Sequence, residues 1–178
     1  MMAANQSGRL PFFILVMVIT ITYKGGNKVA EHSFFAQAHW PGLRNGIGDL
    51  EAGGLQAKIS IPPETDGPGI GTNPDEMLLG AAATCYIITL AAMLERSGIE
   101  KVALIMESEG IVDVTNGVFT YKKIIHRPVL TLPSTTSDAD FRKAKRLAEK
   151  AETSCMISRA LKGNVDIELE YTAVVSSS

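Results

Sequence analysis

The sequence is short of the residues that build metal centres and secreted frameworks. It holds two cysteines, Cys85 and Cys155, and three histidines, His32, His39 and His126. None of these falls at zinc-ligand spacing, so no metal is expected. Two cysteines make no disulfide scaffold of the kind small secreted proteins use. Excess charge is lacking too: 17 Lys and Arg against 19 Asp and Glu leave a formal net charge of −2. Nucleic acid, which calls for a basic patch or stripe, is therefore excluded as an expected partner. The one locally basic stretch, FRKAKRLAEK, fits the solvated face of a helix flanked by Asp140, Glu149 and Glu152. A phosphate loop is missing as well, because GPGIGTNP has neither the dinucleotide spacing nor a following Gly-Lys-Ser/Thr.

The amino terminus carries an apolar run, RLPFFILVMVITITYKGG. Its core of about a dozen residues falls short of a comfortable bilayer span. It has the look of a signal-peptide core, but the nearest small-residue cleavage pattern, AQA at 36–38, lies far downstream inside a predicted strand. Residues 1–31 are read as an apolar extension, with no stable membrane span and a cytoplasmic location expected. Residues 32–178 suffice for a single domain with its own core.

What the chain does have is alternating strands and one unusual helix. HSFFAQAHW and LQAKISI read as strands separated by the turn-rich PGLRNGIGDL. Asn73, Pro74 and Glu76 then mark a helix start, as N-cap, first helical residue and capping-box acid. The helix runs to about Arg96, with Leu78, Leu79, Ala82, Tyr86, Ile87, Leu90, Met93 and Leu94 leaving little polar face. Such a helix is buried all round or covered by a partner subunit. Two long strands joined at Asn116–Gly117 form a hairpin. An amphipathic helix, a break at Thr153–Ser154, a short helix and a final strand, NVDIELEYTAVV, follow. The fold class is α+β, with helices packed on antiparallel sheet.

The chemistry rests on the cysteines. Cys155 opens a helix, where free N–H groups favour a thiolate. Cys85 lies mid-helix in apolar surroundings, which raises a thiol's pKa. On local grounds Cys155 is the more acidic, and only a nearby cation reverses the order. Arg44, in the turn PGLRNG, is the leading cation, and Arg159 the second. Asp75 and Glu76 cap the helix and are candidates to orient Arg44. Ten residues separate Asp75 from Cys85, about 15 Å of unbroken helix. Either the helix breaks near Gly80 or a second subunit supplies the acid and arginine.

GTNPDEMLLGAAATC, AEKAETSCMISRAL and NVDIELEYT together resemble the OsmC/Ohr family, the osmotically inducible and organic hydroperoxide resistance proteins, over residues 32 to 175. The resemblance implies antiparallel sheets around a long buried central helix, in an intertwined homodimer with two sites at its interface. It implies a thiol-dependent peroxidase acting on organic hydroperoxides. Cys85 matches the peroxidatic cysteine, Cys155 the resolving one, and Arg44 the activating arginine. Asp75 stands where the family usually carries glutamate, with Glu76 as a substitute. SCMIS lacks the proline often found after the resolving cysteine. The implied cycle passes through a Cys85 sulfenic acid and an intramolecular disulfide, reset by an external dithiol. In Ohr-type relatives that dithiol is a lipoyl group. No bound cofactor is implied. The competing reading is a dimeric redox-sensing or small-molecule-binding protein on the same scaffold, without efficient turnover.

Overall fold

The computed structural model describes residues 19–24 and 27–177. The apolar extension read for residues 1–31 therefore lies mostly outside the described residues. Two compact units divide between Gly71 and Thr72.

In the first unit, strand β1 (Ile19–Lys24) pairs antiparallel with β2 (Asn27–His32). A second sheet runs β3 (Ala36–His39), β4 (Gly48–Ala52) and β5 (Leu55–Ile59), all antiparallel. The predicted turn PGLRNG joins β3 to β4. After β5 the chain folds back on itself at a short 3-10 turn, Pro63–Thr65, and the Ser60 hydroxyl accepts from the Ile70 N–H at 2.7 Å.

The second unit is built on helix α1 (Pro74–Arg96). Its start follows local chemistry: the Asn73 side chain accepts from the Glu76 N–H at 3.0 Å. The Glu76 carboxylate instead takes the Thr72 hydroxyl at 2.9 Å. The helix runs unbroken through Gly80. Strands β6 (Ala103–Thr115) and β7 (Val118–Leu132) form the hairpin, turning at Asn116 and Gly117 with φ of 54° and 76°. Both angles are left-handed, the geometry a two-residue hairpin needs and Asn-Gly tolerates. Helix α2 (Asp138–Ser154) is capped by the Ser137 side chain and ends at Cys155, one residue later than the predicted break. Helix α3 (Met156–Leu161) follows at once.

Two expectations are corrected. The final stretch is two strands, β8 (Asp166–Leu169) and β9 (Thr172–Val175), interrupted at Glu170–Tyr171. Both pair with β7 in parallel, whereas β6 pairs with it antiparallel. The sheet is therefore mixed, because α2 and α3 form a crossover that returns the chain in the direction of β7.

Helix α1 buries one stripe within its own chain. Ala82, Tyr86, Leu90 and Leu94, spaced every four residues, are its buried side chains. They make one stripe. Tyr86, Leu90 and Leu94 pack with Leu130 and Leu132 of β7 and with Ala144, Ala148 and Ala151 of α2. The three alanines let the two helix axes approach closely. Ala82 joins Ile124 and Val165 in a smaller cluster. The opposite face is open, with Ile88 66% exposed. By length and apolarity α1 suffices to cross a bilayer, yet its stripe forms the core of this unit.

Candidate active site

Cys85 projects from the middle of α1, one residue before the buried Tyr86, and is half-buried. Helix α3 packs against α1, and Cys155 at its start is fully buried. The fold thus brings together two thiols seventy residues apart in the chain.

Around the Cys85 sulfur stand four donors: the Cys155 thiol, the backbone N–H groups of Ile157 and Met156, and the Thr89 side chain. Burial pushes the Cys85 thiol up, but these hydrogen bonds together outweigh it and leave the thiol below its ordinary range. Cys155 moves the other way. Burial raises it most, and its hydrogen bond to Cys85 raises it further, against the opposing contacts from Ser158 and Ile157. The Cys155 thiol is thus the donor of the pair, and the anion is favoured on Cys85.

That order reverses the one expected from local structure. The reason is where the helix start points. Cys155 is itself the N-cap of α3, accepting from the Ser158 N–H at 3.5 Å. The next amides, Met156 and Ile157, serve the Cys85 sulfur instead. A helix end favours the anion it faces, which need not be the cysteine that begins it.

Arg44 is exposed in the first unit, where its guanidinium donates to the Asp66 carbonyl at 3.1 Å, to the Thr65 carbonyl, and to Asn45 Oδ1 at 3.3 Å. The 3-10 turn Pro63–Thr65 is therefore what orients it. In the second unit, Asp75 and Glu76 are exposed in the first turn of α1, and neither forms an ion pair among the described residues. Because α1 is unbroken, Asp75 stays about 15 Å along the axis from Cys85. Arg159 lies on α3 at a partly open cleft with Glu152, Thr153 and Lys162.

Several neighbours escaped sequence reasoning. Thr89 is one turn beyond Cys85, an i+4 spacing that does place two side chains on one helix face. Thr84, on the same helix, bonds back to the Gly80 carbonyl at 2.7 Å, the usual use of a helical threonine. Ser158 is 4% exposed, and its hydroxyl has no hydrogen-bond partner among the described residues. Tyr86, next to Cys85 in sequence, belongs to the core. It stacks on His126 with ring centroids 5.4 Å apart and donates to the Ala148 carbonyl at 3.2 Å. Met77 and Leu78 remain half-buried on the same helix. No group of three or more His, Cys, Asp or Glu suited to a metal ion occurs among the described residues.

Comparison with known proteins identifies the family. Residues 66–170 match the family model for OsmC-like protein. The chain is 66% identical over 142 residues to uncharacterized protein YmaD of Bacillus subtilis (strain 168), covering 80% of this chain and 95% of the relative. It is 26% identical to peroxiredoxin OsmC of Escherichia coli (strain K12), over 75% of this chain and 93% of that one. A crystal structure of an organic hydroperoxide resistance protein OsmC from Legionella pneumophila superposes with a TM-score of 0.64 at 25% identity, covering 79% and 97% of the two chains. With both thiols inside the matched segment and the α+β architecture shared, the chain belongs to the OsmC/Ohr family.

Proposed function

We propose that the protein is a thiol-dependent peroxidase that reduces organic hydroperoxides to alcohols. The observation that carries the reading is the paired behaviour of the two thiols. One is held toward the thiolate by donors from two helices, and the other sits beside it protonated. Such a pair suits a nucleophile and its resolving partner. The names of the relatives, peroxiredoxin and organic hydroperoxide resistance protein, support the same class.

The Cys85 thiolate attacks the distal oxygen of ROOH. The O–O bond breaks, and RO⁻ leaves and takes a proton to become ROH. Cys85 is oxidised to the sulfenic acid. The Cys155 sulfur then displaces hydroxide, which leaves as water with the Cys155 proton, and a disulfide joins the two residues. An external dithiol, such as a lipoyl group, restores both thiols by exchange. The half-buried apolar side chains of Met77 and Leu78 favour an organic peroxide over hydrogen peroxide.

The working unit is a homodimer in the cytoplasm. The exposed Ile88 on the open face of α1 supports this, as an apolar side chain a partner would cover. In the dimer, Arg44 and Asp75 or Glu76 reach a given Cys85 from the partner subunit, with Arg44 adding a cation to the donors already present.

The test is a turnover assay with cumene hydroperoxide and dithiothreitol, alongside intact mass. The wild-type protein turns over and loses two hydrogens as Cys85–Cys155 forms. Cys85→Ser abolishes turnover, and Cys155→Ser forms the sulfenic acid without the disulfide. Stoichiometric thiol oxidation with no turnover above that of free cysteine favours the redox-sensing reading instead.

A further inference from the structure

The peroxide half of this cycle uses Cys85, its four donors and the Cys155 proton. It leaves Ser158 unused. Ser158 is 4% exposed, its N–H meets Cys155 Sγ at 3.5 Å, and its hydroxyl has no hydrogen-bond partner among the described residues. An unpartnered buried hydroxyl is uncommon in native proteins and calls for a reason. The reason is missing only while Cys155 is a neutral thiol, whose proton is directed at Cys85.

Resting on the peroxidase reading above, we propose that Ser158 is a catalytic residue of the resetting half-reaction, holding the negative charge on Cys155 Sγ through its N–H and its hydroxyl when that sulfur is expelled from the disulfide. Accessibility decides which sulfur is expelled. Cys155 is fully buried and Cys85 is half-buried, so an external thiolate reaches Cys85. The exchange runs R(SH)S⁻ + Cys85–S–S–Cys155 → R(SH)S–S–Cys85 + Cys155–S⁻. The S–S bond of the protein breaks as a new one forms to Cys85. The second thiol of the dithiol then loses its proton and displaces Cys85, closing an oxidised dithiol and releasing the Cys85 thiolate. Two electrons pass from dithiol to protein, and Cys155 takes up one proton.

Cys155 is a poor leaving group without help. Burial pushes its thiol up, and thiol–disulfide exchange slows as the leaving thiol becomes less acidic. Contacts from Ser158, with one from the Ile157 N–H, oppose this and favour the anion. Ser158 also lines a cleft of about 250 Å³ with Thr153, Arg159, Lys162 and Asp166.

The experiment separates the two half-reactions by rapid mixing. Reduced protein is oxidised with one equivalent of cumene hydroperoxide, and the preformed disulfide is reduced with dithiothreitol. In Ser158→Ala the reductive rate falls about tenfold more than the oxidative rate, the size of effect expected from a hydrogen bond to a charged sulfur. Ser158→Thr, which keeps the hydroxyl, recovers most of the loss. Equal effects on both half-reactions, or no selective loss, overturn the proposal. On the unmodified protein, acid quenching after a pulse of 2-mercaptoethanol and mass mapping place the mixed disulfide on Cys85. A mixed disulfide on Cys155 overturns the proposal while leaving the peroxidase reading intact. Failure of the wild-type protein to form the disulfide overturns both.

Discussion

Single side chains set the acidity of the reactive sulfur. Thr89 is the donor most easily removed without disturbing a backbone amide. Thr89→Val removes one of the four donors and raises the Cys85 pKa, leaving less of it as thiolate. The rise is read from the pH dependence of iodoacetamide alkylation. His126 gives a second prediction. It is fully buried, its Nδ1 lies 2.7 Å from the Ser108 hydroxyl, and burial holds its pKa below the ordinary value. The unfolded chain therefore binds the proton first as pH falls. Stability is complete above the unfolded value of about 6.5 and is lost progressively as pH drops toward the lower folded value. Urea unfolding at pH 7.5 and pH 5.5 measures the loss, and His126→Gln flattens it. Asn73 was legible at this scale because a cap is decided within four residues. Thr89 was legible only as an i+4 neighbour of Cys85, and Ser158 not at all, since its contact with Cys155 forms only as α3 begins.

At the scale of elements, the helices and the hairpin could be read because their signals are local and repetitive. Asn116–Gly117 fixes its turn by backbone freedom alone, and Ser137 and Asn73 begin their helices by side-chain capping. The direction of β8 and β9 could not be read, because the same alternating pattern serves parallel and antiparallel neighbours. Only the crossover through α2 and α3 decides it. The interruption at Glu170–Tyr171 was hidden for a similar reason: the Glu170 N–H bonds to the His126 carbonyl at 2.9 Å, a long-range contact. The stripe of α1 is the element on which the second unit depends. Leu90 is fully buried between α2 and the sheet, so Leu90→Ala costs about 2–5 kcal/mol, measured by urea denaturation.

For the whole molecule, the function proposed above draws each site from two chains. If Arg44 acts across the interface, Arg44→Met and Cys85→Ser proteins, each inactive alone, complement when mixed and refolded. A mixed dimer then holds one intact site, and random pairing restores about a quarter of wild-type activity. No recovery, with mixed dimers present by native mass spectrometry, rules out the exchange of Arg44. Ile88→Lys on the open face shifts the protein toward monomer in sedimentation. The sequence pattern raised the need for cover on α1, but the extent of it became measurable only once the chain's own packing was known.

The placement of Cys155 inside the crossover between β7 and β8 has an outcome for synthesis. A ribosome delivers Cys85 well before α3 exists, so the growing chain carries that sulfur without the amides and thiol that sharpen it. Until the last strands emerge and dock, Cys85 behaves as an unremarkable thiol. On the proposed reading, the acidity of Cys85 is set only on completion of the carboxy-terminal third, where Cys155, Met156 and Ile157 all lie.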